Sequence, residues 1–241
     1  MTDIPLVLVH GACHGAWCWD RLVPELAAHG IVAQAIDLPG HGADRTAPAD
    51  VTLEGYAEAI RRTIRDLGGR AAVLGHSAGG YPISAVAQSD PQMVEKLIFL
   101  CAYLPVSGQS LSEMRKVWPS QPLVPHIRLS PDRHSFTFDP TAVPDLFYHD
   151  CPAEAVAIAR ARLCPQPMAP QITGIELNES FEAVEKHYII CTQDRAIPPG
   201  YQGVMARGLP PGHVSELPAA HSPFLSMPGD LAERIARILA A

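Results

Sequence analysis

Gly75-His76-Ser77-Ala78-Gly79 follows directly on the apolar run Ala71-Ala72-Val73-Leu74. A G-x-S-x-G sequence lets a chain turn sharply from a strand into a helix: the glycines remove clashing side chains and the serine is left exposed at the strand end, as a nucleophile elbow. Ser77 is therefore the candidate nucleophile. Its hydroxyl would lie over a helix N-terminus, where free backbone N–H groups, that of Ala78 included, favour a developing oxyanion. A serine nucleophile needs a base, and the base needs an orienting acid. Asp194 follows the strand-like run His187–Thr192 and precedes Ile197-Pro198-Pro199, which cannot continue a strand. His221 follows Val214–Leu217 through Pro218-Ala219-Ala220. The chain order Ser, Asp, His, each at the end of a later strand, is the order of a triad mounted on a parallel sheet. The next carboxylate after Phe99-Leu100, where such sheets can also carry the acid, is Glu113, which leaves Asp194 as the choice. His213 precedes its strand and is expected at the opposite edge.

A second oxyanion donor is expected from the loop after the first strand, His10-Gly11-Ala12-Cys13-His14-Gly15-Ala16-Trp17-Cys18-Trp19. Gly11 permits an unusual backbone angle, so the Ala12 N–H can point into the site beside that of Ala78. His10 and His14 are expected to hold the loop's shape through hydrogen bonds. Cys13 is expected to pack, with substrate contact as the alternative. Asp37-Leu38-Pro39-Gly40-His41-Gly42 reads as a structural turn.

The elements that must carry these residues alternate regularly. Strands are expected at Leu6–Val9, Ile31–Ile36, Ala71–Leu74, Lys96–Tyr103, His187–Thr192 and Val214–Leu217. Most are apolar at consecutive positions, as in a parallel sheet covered on both faces. Between them, Trp19, Leu22, Val23 and Leu26 recur at helical spacing, as do Leu53, Ala57, Ile60, Ile64 and Leu67 after the N-cap candidate Thr52. Leu231, Ile235, Ile238 and Leu239 mark a closing amphipathic helix.

One connection is too long for a simple crossover. Leu104 to Lys186 holds eleven of the 24 prolines, a helix-like segment from Ala153 to Leu163, and a short hairpin pattern at His126–Leu129 and Ser135–Phe138. It is expected to fold over the strand ends as a cap, residues 104–186, leaving 1–103 and 187–241 as the core. Trp118, Phe136, Phe138, Leu146, Phe147, Tyr148 and Met168 are its pocket-wall candidates, with packing inside the cap as the equal alternative.

Composition narrows the partners. With 241 residues, 47% hydrophobic, the chain can bury one substantial core, and a net charge of -7 argues against nucleic acid or an anionic membrane surface. Met1-Thr2-Asp3-Ile4-Pro5 has no basic leader character, and Leu6–Val9 is too short for a signal sequence, so a cytoplasmic location is expected. Six cysteines lack C-x-x-C spacing and the histidines lack ligand spacing; reduced core cysteines and no metal are expected. A homodimer is left open.

With these residues in place the chain resembles the α/β-hydrolase superfamily, and within it the plant methylesterases and hydroxynitrile lyases, through Leu6-Val7-Leu8-Val9-His10-Gly11-Ala12-Cys13-His14-Gly15-Ala16-Trp17. The likeness extends to the elbow, to Phe147-Tyr148-His149-Asp150-Cys151-Pro152-Ala153-Glu154 and to Ile190-Cys191-Thr192-Gln193-Asp194. It implies an α/β fold with a mostly parallel sheet of about six strands, flanked by helices, with an inserted cap. It also implies a serine hydrolase without cofactor, acting on small methyl or aryl esters. Bacterial relatives of similar length attack unrelated esters and carbamates, including agrochemicals. Ser77, His221 and Asp194 take the catalytic roles, Ala12 and Ala78 the oxyanion N–H groups, and Gly11, Cys13, Trp118 and Phe147 the substrate contacts. The lyases carry a threonine where Gly11 stands and a lysine where Ser222 stands, so cyanide release lacks its hydroxyl and cation here. A ligand receptor of the same fold is the other alternative, and an intact triad argues against it.

Overall fold

The computed structural model describes residues 4–241, so Met1, Thr2 and Asp3 lie outside the described residues. Six parallel strands form the central sheet: β1 (Leu6–Val9), β2 (Ala33–Ile36), β3 (Ala71–His76), β4 (Val94–Leu100), β5 (Glu185–Cys191) and β6 (Val214–Leu217). Their spatial order is β2-β1-β3-β4-β5-β6. Successive side chains of a strand point to opposite faces, so a strand covered on both sides must be apolar throughout. Leu6 and Leu8 accordingly pack with Ala72, Leu74, Ile98, Leu100 and Ile189 on one face. Val7 and Val9 pack with Val73, Leu97, Phe99 and Tyr188 on the other. The edge strands β2 and β6 bury only their last residues, Ile36 and Leu217.

Helices α1 (Leu22–Ala28), α2 (Leu53–Asp66), α3 (Gly80–Ser89), α4 (Pro199–Ala206) and α5 (Pro228–Ala240) flank the sheet. Thr52 caps α2 as its spacing predicts, its hydroxyl accepting the Gly55 N–H at 2.9 Å. Trp19, expected on α1, lies in a preceding short 3-10 turn, Ala16–Trp19. The strand expected to reach Tyr103 stops at Leu100, because Cys101 adopts φ +35 and turns the chain out of the sheet.

Between β4 and β5 the chain builds short elements. Ile127–Leu129, Ser135–Phe138 and Gln166–Pro167 form a three-stranded antiparallel sheet, which extends the expected hairpin by one strand. Helices Leu111–Val117 and Ala153–Arg162 accompany it, the first closed by a capping box between Ser110 and Glu113. Its aromatic side chains Phe136, Phe138, Phe147 and Tyr148 join the core cluster on the β1 side of the sheet.

The elbow is held by backbone against backbone. A Cβ on Gly79 would lie 2.8 Å from the His10 carbonyl oxygen and 2.9 Å from that of Val9, and one on Gly75 would lie 2.6 Å from the Gly79 oxygen. Because the crowded atoms are main-chain oxygens at the end of β1, no side chain can move aside to relieve the contact. Gly79→Ala is expected to destabilise the fold by about 1–3 kcal/mol or to prevent soluble expression. Urea unfolding compared with Gly203→Ala, where an added Cβ would meet nothing within 4 Å, checks this.

Candidate active site

Ser77 sits at the turn between β3 and α3 with φ +54, a left-handed backbone that a non-glycine residue rarely adopts. Such strain persists only where the surroundings over-determine it, and here the tight elbow packing supplies that constraint. Asp194 and His221, 27 residues apart, meet at the ends of β5 and β6: His221 Nδ1 lies 2.7 Å from Asp194 Oδ2, with both side chains almost wholly buried. Asp194 Oδ1 accepts the N–H groups of Ala196 at 2.7 Å and Ile197 at 3.0 Å. Its Oδ2 also accepts from Gln202 Nε2 at 2.9 Å. The carboxylate thus has four donors, which matches its lone-pair capacity and fixes its orientation toward the imidazole. Ser77 and His221 form no hydrogen bond with each other, and the two are tied through His76, the residue before Ser77. His76 Nε2 donates to the His221 carbonyl at 2.9 Å, and the two rings lie 4.6 Å apart.

The first loop approaches closely enough for its expected role. A Cβ on Gly11 would lie 2.9 Å from Ser77 Cβ, and Ala12 and Ala78 line one narrow pocket together with Gly11. His10 and His14 hold the loop. His10 Nδ1 donates to the Gly11 carbonyl at 2.9 Å while its Nε2 accepts the Leu38 N–H at 3.2 Å. His14 Nδ1 donates to the Ala12 carbonyl at 2.8 Å, and its Nε2 accepts the Tyr148 hydroxyl at 2.7 Å. The turn after β2 adds a further tie, since Asp37 accepts the N–H groups of Ala16 and Ala43.

The remaining residues separate. Phe147 stands beside His221, with the two ring centres 5.5 Å apart. Cys13 is buried at φ +63, with its N–H bonded to Gln166 and its sulfur facing the Phe136 carbonyl. Burial raises its thiol pKa, so it is a poor nucleophile at neutral pH. Trp118 stacks on Tyr201 at 5.4 Å and lines a cleft with Leu123 and Ala196. His213 lies before β6, where it stacks on His187 and bonds to the Lys186 carbonyl. Three donor atoms of His76, Cys101 and His221 lie within 4.8 Å of one another, as do those of Glu185, His187 and His213. In the first group His76 and His221 are already engaged with the His221 carbonyl and Asp194. In the second, Glu185 is paired with His187 and Lys96.

A model of the alpha/beta hydrolase family matches residues 6–234. The chain belongs to the alpha/beta hydrolase family. The six-stranded parallel sheet flanked by helices is this hydrolase fold, as the sequence resemblance implied. The chain is 29% identical to Methylesterase 3 of Arabidopsis thaliana over 94% of its length and 92% of that protein's. It is 32% identical to the pyrethroid hydrolase of Sphingobium wenxiniae over 98% of its length and 88% of that protein's. The crystal structure of a pyrethroid hydrolase from Sphingobium faniae superposes with a TM-score of 0.88 at 30% identity, covering 99% of this chain and 98% of that one. These relatives are carboxylic ester hydrolases, and this hydrolase is of the same enzyme class. Among the described residues, no helix is long and apolar enough to cross a membrane.

Sequence reasoning missed Gln202. A lone glutamine on a helix carries no signal, yet here it is fully buried: its amide N donates to Asp194 and to the Ile197 carbonyl, and its oxygen accepts the Cys191 N–H. Gln202→Met keeps the volume and removes all three hydrogen bonds, one of them to a charged acceptor, so kcat is expected to fall about 10- to 100-fold with KM little moved. Steady-state kinetics on an activated aryl acetate check it.

Burial also holds the loop histidines neutral. Desolvation pushes His14 down to about 4 and lowers His10 and His76 well below the usual histidine range. In the unfolded chain these groups titrate near 6.5, so between about 6.5 and 4 the unfolded state binds more protons than the folded one. Stability is therefore fully present above about pH 6.5 and is lost as the pH falls toward 4, by up to about 1.4 kcal/mol per pH unit for each histidine. Urea unfolding between pH 7.5 and 5 measures the slope, which His14→Gln is expected to flatten.

Proposed function

We propose that this hydrolase cleaves small, largely apolar carboxylic esters through Ser77, His221 and Asp194 by way of an acyl-enzyme. The buried 2.7 Å contact between His221 and Asp194, with His221 tied by its carbonyl to His76, the residue before the strained Ser77, carries the reading. His221 Nε2 takes the Ser77 proton as Oγ attacks the ester carbonyl carbon, and passes it to the departing alcohol. Asp194 keeps Nδ1 protonated and stabilises the imidazolium. The oxyanion is held by the N–H groups of Ala12 and Ala78. A water that gives its proton to His221 then attacks the acyl carbon, which releases the carboxylic acid and restores Ser77.

Residues 104–186 act as the cap in this reading, and they bring Phe147 against His221 with Phe138 behind it at 5.1 Å. An aromatic wall at the base favours apolar substituents on the ester. Methyl esters and pyrethroid-type esters, named by the relatives, are the substrate classes to try first. Cyanohydrin cleavage is disfavoured, because a side chain at position 11 would collide with Ser77 and Ser222 is wholly buried.

Ser77→Ala and His221→Ala are each expected to lower kcat by several orders of magnitude, since triad members act as a unit, while Asp194→Asn is severe and somewhat milder. A fluorophosphonate probe followed by peptide mass mapping should label Ser77 alone. Stable adducts on another residue, or activity persisting in Ser77→Ala, would overturn the assignment.

A further inference from the structure

The pocket that holds Ala12 and Ala78 is also lined by the short helix Ala169–Ile172, which contributes Pro170 and Gln171. Every other polar side chain of that lining is already engaged. His10 is bonded on both ring nitrogens. Tyr81 donates its hydroxyl to the Gln109 carbonyl at 3.0 Å. Gln166 accepts from the Cys13 N–H and contacts His41 with its oxygen, and donates to the Tyr56 hydroxyl and the Pro167 carbonyl with its nitrogen. Gln171 differs. It is 6% exposed, and its carboxamide has no hydrogen-bond partner among the described residues.

The Gln171 amide atoms are not sealed from solvent, so the carboxamide keeps its donors and acceptor free for a group that enters the pocket. The neighbours that would otherwise make this pocket a plain apolar slot are Leu38, Leu53, Pro82 and Pro170. A carboxamide in such a slot, which Ala12 and Ala78 also line, distinguishes a substituent that carries an oxygen from a hydrocarbon of the same shape. We infer that Gln171 is a specificity-determining residue that hydrogen-bonds a carbonyl, ether or hydroxyl oxygen carried by the ester near its reacting centre. The preferred substrate is thus an ester that is apolar on the Phe147 side and bears one oxygen function on the Gln171 side. This inference rests on the Ser77-centred reading of the site. It deepens that reading by naming a polar function that an otherwise apolar ester must present.

Matched pairs of esters test it. On the acyl side, para-nitrophenyl levulinate is compared with para-nitrophenyl isocaproate, in which a methyl group replaces the ketone oxygen. On the alcohol side, acetonyl acetate is compared with isobutyl acetate. Each ratio of kcat/KM is divided by the ratio of the hydroxide-catalysed rates, which removes intrinsic reactivity and the active fraction of enzyme. In at least one pair the native enzyme is expected to favour the oxygen-bearing ester by about 3- to 10-fold over the hydroxide ratio, the range of one net hydrogen bond. Gln171→Leu is expected to bring that ratio back to the hydroxide value. The inference is overturned if neither pair departs from the hydroxide ratio in the native enzyme, or if Gln171→Leu leaves the ratio unchanged. The native ratios stand without the variant, so poor folding of Gln171→Leu does not remove the test. Ser77→Ala run on the same esters separates the two levels: turnover surviving there counts against the triad, whereas a lost preference with an inert Ser77→Ala counts against Gln171 alone.

Discussion

The close approach of the elbow to the end of β1 is the constraint on which the site depends. Gly79 lies against the Val9 and His10 carbonyls, and Gly11 lies against Ser77 and His76, so two turns from different strands are locked within van der Waals contact. That contact holds Ser77 at φ +54 and sets the distance between Ser77 and the first loop. In the proposed mechanism this fixes the oxyanion donors before substrate arrives, and electrostatic stabilisation of a transition state relies on such preorganisation. The strain at Ser77 is offset by the packing of the surrounding glycines, which could not be made with any larger residue.

Around this contact the polar groups form a connected frame. His76 binds the His221 carbonyl, His14 joins the Ala12 carbonyl to Tyr148, and Gln202 joins Asp194 to β5. Each of these side chains is buried, so its hydrogen bonds act in a low-dielectric setting where an unmade bond is costly and a made one holds geometry firmly. His14 and His76 stay uncharged because burial disfavours the imidazolium, so they position backbone carbonyls without adding a competing cation beside His221.

Much of the sheet was legible because its determinants are local. Consecutive apolar residues marked β1 and β3, and the N-cap at Thr52 and the hairpin at Ser135–Phe138 were signalled by residues only a few positions apart. The order of Ser77, Asp194 and His221 at strand ends was readable for the same reason, and the structure brings the last two into direct contact. Gln202 and Gln171 were not readable. Whether a glutamine on a short helix faces solvent, an aspartate or a pocket depends on how distant elements dock, which no window of sequence reports. The end of β4 at Cys101 was missed because a positive φ at a cysteine is dictated by tertiary packing and not by the residue itself.

Every strand pairing in the central sheet is parallel, and His76 meets the His221 carbonyl across 145 residues of sequence. Contacts of such long range close large loops, which makes their formation slow relative to the local helices and hairpins. β6, at the sheet edge, immediately precedes the loop that carries His221, while Ser77 follows directly on β3, which is flanked by β1 and β4. In the proposed mechanism, a chain in which only the first four strands have assembled would hold Ser77 without His221. On that mechanism turnover needs every strand that positions a triad residue, so its onset during refolding cannot precede the docking of β6.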